Sequence, residues 1–174
     1  MIRIIFLGSL FFIFSMTHFA QNKSVYTNLN TPTPSCKNLN PNDRTPGVYN
    51  GICEGVAGYK LGMNDDDSRM SITVITPQEK AFALDFWGHF RNFSYVGEKA
   101  EWRMKGDRPV ALIVRYNVSD KGDTGETTSY LMVSKITEKT ACVTDIVKPG
   151  KNQNLTAQKL ADRAATRPCK RVPE

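Results

Sequence analysis

"PVALIVRYNV", residues 109–118, is an apolar run that is interrupted by charge only at Arg115. A half-exposed strand alternates apolar and polar residues. A nearly continuous run of this length instead belongs to a strand covered on both faces. The run is therefore read as the centre of a sheet with a layer packed on either side.

Reading outward, "TSYLMVSKIT" (128–137) and "ACVTDIV" (141–147) follow it, joined by "SDKGDTGE" and "TEKT", which have the composition of hairpin turns. Before it lie "MSITVIT" (70–76), "KAFALDFW" (80–87) and the weaker "KAEWRMK" (99–105). The first two alternate, and in the second Phe82, Leu84 and Phe86 share one face. Short strands in close succession predict an α+β fold, mainly an antiparallel sheet closed as a sandwich or partial barrel. After Pro149-Gly150, "NLTAQKLADRAAT" (154–166) is rich in helix formers. Leu155, Ala157, Leu160, Ala161 and Ala164 can line one side of that helix. Asn152 or Asn154 can cap its start, and Pro168 ends it.

The chain opens with MIRIIFLGSLFFIFSMTHFA: Arg3, then an apolar run from Ile4 to about Met16. That is too short for a membrane span, which needs ~20 residues, and has the layout of a secretory signal peptide cut after Ala20. The domains are then a leader (1–20), an extended arm rich in Asn, Thr and Pro (21–46) read as turns without regular structure, and a single domain (47–174). No stretch of the mature chain reads as a transmembrane segment, and the expected location is periplasmic or secreted. All four cysteines lie beyond the leader. An even count in an exported chain reads as two disulfides. Of three pairings, Cys36–Cys53 and Cys142–Cys169 are favoured because each joins nearest partners along the chain; the second would clamp the C-terminal helix onto the sheet.

The chain carries a net charge of +6, which falls to +5 when Arg3 leaves with the leader. The charges are dispersed and no nucleic-acid motif is present, so nucleic acid is not an expected partner. A basic bias near the C-terminus reads as a solvated helix face and tail, or as a patch for anionic envelope polymer. Motifs for nucleophilic, metal or phosphate chemistry are absent: no GxSxG, HExxH, CxxC, GxGxxG or P-loop. No cofactor or metal is implied. His89 is the one histidine after the leader, and a lone imidazole lacks partners for a triad or a His-based metal site. Asp65, Asp66 and Asp67 lie between two predicted strands, where aspartates favour turns. "NDDDSR" does not match a calcium loop, and Asp67 and Arg69 are placed to pair. The carboxyls of Glu54, Asp85 and Glu101 are the candidates if the protein is a hydrolase. Four sequons, at Asn22, Asn92, Asn117 and Asn154, are read as composition rather than as glycan sites.

Aromatics crowd residues 82–102. Trp87, His89, Phe90, Arg91, Trp102 and Arg103 are the candidate binding residues, since aromatics and arginine anchor interfaces; the competing reading is a small core under a loop.

"VYTNL", "CEGVAGY", "DDDSRMS", "EWR", "PVALIVRY", "ACVTDIV" and "NLTAQKLADRAA" together resemble a family of small, uncharacterised exported proteobacterial proteins. The resemblance spans most of residues 25–165. It implies a periplasmic or secreted location and supplies no catalytic residue. It also directs attention to Tyr59, Asp67, Arg69 and Glu101-Trp102-Arg103. The function expected is a non-catalytic binding module of the envelope, recognising a protein or an anionic glycopolymer. The alternatives are a carboxylate-dependent hydrolase and a purely structural protein.

Overall fold

The computed structural model describes residues 22–30, 35–43, 45–120 and 125–173. The proposed leader and the centre of "SDKGDTGE" lie outside them. The described residues form ten strands: β1 (Lys23–Asn28), β2 (Cys36–Asn38), β3 (Val48–Glu54), β4 (Lys60–Asp66), β5 (Ser71–Ile75), β6 (Ala81–Ala83), β7 (Ser94–Lys105), β8 (Arg108–Ser119), β9 (Thr127–Ile136) and β10 (Ala141–Val147). One helix, α1 (Gln153–Ala161), follows, and single 3₁₀ turns occupy Trp87–His89 and Ala164–Thr166.

The strands make two five-stranded antiparallel sheets, ordered β1-β7-β8-β9-β10 and β2-β3-β4-β5-β6. Leu61, Met63, Ile72 and Val74 of the second sheet meet Trp102, Leu112, Val114, Tyr116 and Met132 of the first in one core. On the far face of the first sheet, Ala111, Ile113, Leu131, Val133 and Val147 pack against Ala157, Ala161 and Ala164. The fold is thus a sandwich with a helix as third layer. β8 is covered on both sides, as its continuous apolar run requires. Alanines on the buried stripe let the helix backbone approach the sheet closely. The disulfides are Cys36–Cys53 and Cys142–Cys169, closing separations of 17 and 27 residues. Loops of this size stabilise by roughly 3 kcal/mol each in the chain-entropy model.

Four expectations are corrected. The arm contains regular structure: β1 is an edge strand of the first sheet, and β2 places Cys36 directly opposite Cys53. The Asn- and Pro-rich composition concealed β1, in which Val25 and Thr27 turn inward and Trp102 donates its indole N–H to Thr27 Oγ1 at 2.9 Å. The strand expected over 80–87 stops at Ala83. Asp85 there adopts φ +45° and its carboxylate accepts the Gly88 N–H at 3.1 Å, which starts the 3₁₀ turn. Leu155 is half exposed and does not line the buried stripe. Neither asparagine side chain caps α1. Instead Gln153 Nε2 ties the helix start to the carbonyls of Ser129 and Val147, and Asn154 accepts from Arg115.

Candidate functional site

The two long strands β7 and β8 run the length of the sandwich, so Ser94 and Ser119 mark one end and Lys105 and Arg108 the other. The Ser94 end carries the two stretches that the sequence singled out separately. The β4–β5 turn holds Asp67 and Ser68 at positive φ (+56° and +59°). Asp is one of the few side chains that tolerates this region. Its carboxylate accepts from Arg69 at 2.8 Å, which is the pairing expected. The Arg69 guanidinium also lies 5.7 Å from the centre of the Trp87 ring, within cation–π range. The aspartate turn and the "FWGHFRNF" segment are therefore neighbours.

Main-chain bonds fix this junction. The Ser94 N–H donates to Ser68 O at 2.7 Å and the Met70 N–H to Ser94 O at 3.2 Å. Beneath them Tyr116 donates its hydroxyl to Met70 O at 2.9 Å, and Ser94 Oγ lies 2.6 Å from the same hydroxyl. With its one proton spent on Met70, Tyr116 accepts from Ser94. Burial pushes the Tyr116 hydroxyl pKa up to about 12, so it stays a neutral strut. Phe86 and Phe90 pack against its ring at 5.3 and 5.6 Å, and Phe90 also reaches Tyr130 at 4.6 Å.

Two surface depressions flank Phe93. One, of about 400 Å³, is lined by Asp65, Asp67, Ser68, Ser94, Tyr95 and Ser119 as well as Phe93. The other, of about 320 Å³, is lined by Arg69, Trp87, Arg91 and Asn92 with Phe93. Phe93 and Tyr95 are exposed, and Arg91, at φ +55°, points a guanidinium N–H at the Pro173 carbonyl of the C-terminal tail. Three polar atoms here are shielded without a partner: Asp65 Oδ1, Trp87 Nε1 and His89 Nδ1. Burial, the main cause, lifts the Asp65 carboxyl above its ordinary pKa, and its acidic neighbours add to the shift against the N–H groups of Arg69 and Ser68. Burial likewise lowers the His89 imidazole, against the pull of Asp85.

The candidate binding residues separate into three environments. Trp87, His89 and Arg91 are at this end. Phe90 belongs to the core beneath it. Trp102 and Arg103 are elsewhere and buried: Trp102 is fully enclosed between the sheets. Arg103, on the opposite face of β7, spends all its donors internally. It holds Asp162 with two bonds of 2.8 and 2.9 Å, and bonds the Asn22 carbonyl at 3.0 Å, Ser24 Oγ and Glu101 at 3.5 Å. Gln158 completes Glu101 at 2.9 Å. This cluster pins β1 and α1 onto β7, so neither Trp102 nor Arg103 presents a surface to a ligand. The three carboxyls considered for hydrolysis are also apart. Glu101 is in that cluster, Glu54 ends β3, and Asp85 caps the 3₁₀ turn. Among the described residues no group of His, Cys, Asp or Glu is arranged to hold a metal ion, and no helix is long and apolar enough to cross a membrane.

The sequence flagged the aspartates, Trp87 and Arg91 but not the contact of Arg69 with Trp87; it grouped Phe93 with Trp87 and Phe90 at a strand end or loop but did not single out Tyr95 as exposed beside it. The only signal for the latter was "NFSY", where two aromatics flank a serine on a strand start. No family model, curated protein or solved structure matches the chain.

Proposed function

We propose that the protein is an exported, non-catalytic binding module of the bacterial envelope that holds an anionic glycopolymer across the Arg69–Trp87–Arg91–Phe93 surface. The observation that carries this reading is the presence there of unmet polar groups beside aromatic and cationic side chains: Asp65 and Trp87, each with an unpartnered atom, line the two depressions. A shielded polar atom without a partner costs about 1–3 kcal/mol, and such costs are tolerated where a ligand or a local shift supplies the partner. The chemistry suits a sugar chain. Flat rings of Trp87, Phe93 and Tyr95 offer apolar faces to pyranose C–H groups, Asn92, Ser68 and Ser119 match hydroxyls, and Arg91 and Arg69 match acidic substituents. The positive net charge of the mature chain draws a polyanion in. An exported location is supported by the leader pattern and by two disulfides.

Co-sedimentation of residues 21–174 with insoluble peptidoglycan and with lipopolysaccharide vesicles tests this. The protein is expected in the pellet of at least one polymer, with retention at least tenfold weaker for Trp87→Ala and Arg91→Ala. No retention on either polymer, or retention that both variants leave unchanged, overturns the reading.

A further inference from the structure

At the opposite end of the sandwich, where the two sheets and the Ala164–Thr166 turn meet, lies a cavity of about 410 Å³. Its lining comes from all three layers: Tyr59 from the β3–β4 turn, Pro109 and Val110 from β8, Ile136 from β9 and Ala165 from the 3₁₀ turn. These groups are apolar over most of their surface, and Pro109, Ile136 and Tyr59 are buried. The one hydroxyl among the remaining lining residues, on Thr137, is occupied within its own turn. It donates to Thr140 O at 2.9 Å and accepts from the Thr140 N–H at 3.0 Å. Apart from the Tyr59 hydroxyl, the side chains of the floor therefore offer no free polar group to a polyhydroxylated ligand.

The mouth is different. Arg108, Glu138 and Lys139 ring it. Arg108 reaches Glu138 at 3.4 Å, but both side chains are mostly exposed, at 65% and 81%, and such a pair contributes little. Lys139 has no carboxylate partner among the described residues, so the rim carries an excess positive charge over an apolar well. Wells of a few hundred Å³ at the junction of layers, apolar with a few charged groups at one side, are the usual form of small-molecule sites.

We infer that this cavity binds a small amphiphile with an apolar body and one anionic head, of the medium-chain carboxylate class. The body fills the well over Val110, Ile136 and Ala165, and the carboxylate sits at the mouth between Arg108 and Lys139. The site is at the other end of the molecule from Trp87 and does not rest on the glycopolymer reading.

Trp102 supplies the readout, because its ring lies 6.2 Å from that of Tyr59 in the cavity wall. In a Trp87→Phe background it is the sole indole, and its emission is followed during titration with sodium decanoate and, separately, with the neutral decanol. Decanoate is expected to change the emission saturably. Ala165→Trp would add a second indole, so Ala165→Leu is used to fill the well; Ala165 lies on an exposed turn and folding is checked by circular dichroism. Ala165→Leu is expected to weaken both ligands at least tenfold. The Arg108→Glu/Lys139→Glu pair is expected to weaken decanoate at least tenfold and to leave decanol unchanged. No saturable response to decanoate, or a response that both variants leave intact, overturns the inference. Equal losses for decanoate and decanol in the charge-reversed pair overturn the assignment of the anionic head.

Discussion

Trp102 with Arg103 and Trp87 with Arg69 are both tryptophan–arginine neighbourhoods on strand-rich sequence, and they have opposite fates. Trp102 is enclosed, its N–H is taken by Thr27, and all the donors of Arg103 are matched across β1, β7 and α1. Trp87 is partly exposed, its N–H is unmatched, and the Arg69 guanidinium is held by the exposed Asp67 and by the ring face. The first neighbourhood joins three elements into one body. The second sits at an end where strained turns converge. A tryptophan and an arginine close together thus say little about role. What discriminates is whether their polar atoms are satisfied inside the fold, because a satisfied group has no reason to bind elsewhere and an unsatisfied one does.

Substitutions should expose that contrast. Trp102→Ala removes the largest fully buried side chain and is expected to cost ~3–5 kcal/mol, read as a lower urea midpoint. Arg103→Ala strands Glu101 and Asp162 without their cation. Removing one partner of a buried pair costs ~3–5 kcal/mol, and the part-exposure of Asp162, at 33%, places this case near the low end. Replacing Cys142 and Cys169 together by alanine frees the segment that follows the Asp162 end of α1, with an expected loss of ~3 kcal/mol in the same assay. Arg69→Ala touches the other neighbourhood. Its exposed ion pair and single cation–π contact are worth about 1 kcal/mol or less, so unfolding should barely move while retention on the envelope polymer falls. A stability loss from Arg69→Ala as large as that from Arg103→Ala would erase the distinction.

The smallest expected effect is on pH dependence. The folded chain holds the Asp65 proton more tightly than the unfolded chain does, because burial raises its pKa above 3.8. Stability is therefore lost as pH rises from that value through the folded one, and the penalty persists at neutral pH. Asp65→Asn should remove this contribution and leave the variant more stable at pH 7 than at present, with little change at pH 3. A variant less stable at pH 7 would show that the ionised carboxylate is favoured by its neighbours.

Much of the architecture was legible from pattern. The unbroken apolarity of 109–118 specified a two-faced strand, alternation specified β5, the turn-like segments between apolar runs placed β9 and β10, and cysteine proximity specified both disulfides. What pattern could not show were events between distant segments. β1 was hidden because it is short and its neighbours are Asn- and Pro-rich, so only pairing with β7 makes it a strand. Leu155 looked like a core residue because helical periodicity gives a stripe without saying which alanines the sheet selects. The contact of Arg69 with Trp87 depends on how the β4–β5 turn meets the 3₁₀ turn, which no local spacing encodes. Arg103 stands in the sequence as a candidate binding residue because only Glu101 among its acceptors is close along the chain; Asn22, Ser24 and Asp162 lie 59 or more residues away.

The chain has two tryptophans, and their indole N–H resonances report the two neighbourhoods separately. Titration of isotope-labelled protein of residues 21–174 with soluble peptidoglycan fragments and with lipopolysaccharide core oligosaccharide should shift the Trp87 signal progressively for at least one of them and leave the Trp102 signal in place. Two unmoved signals with both ligands, or a shift confined to Trp102, would contradict the assignment of the binding surface.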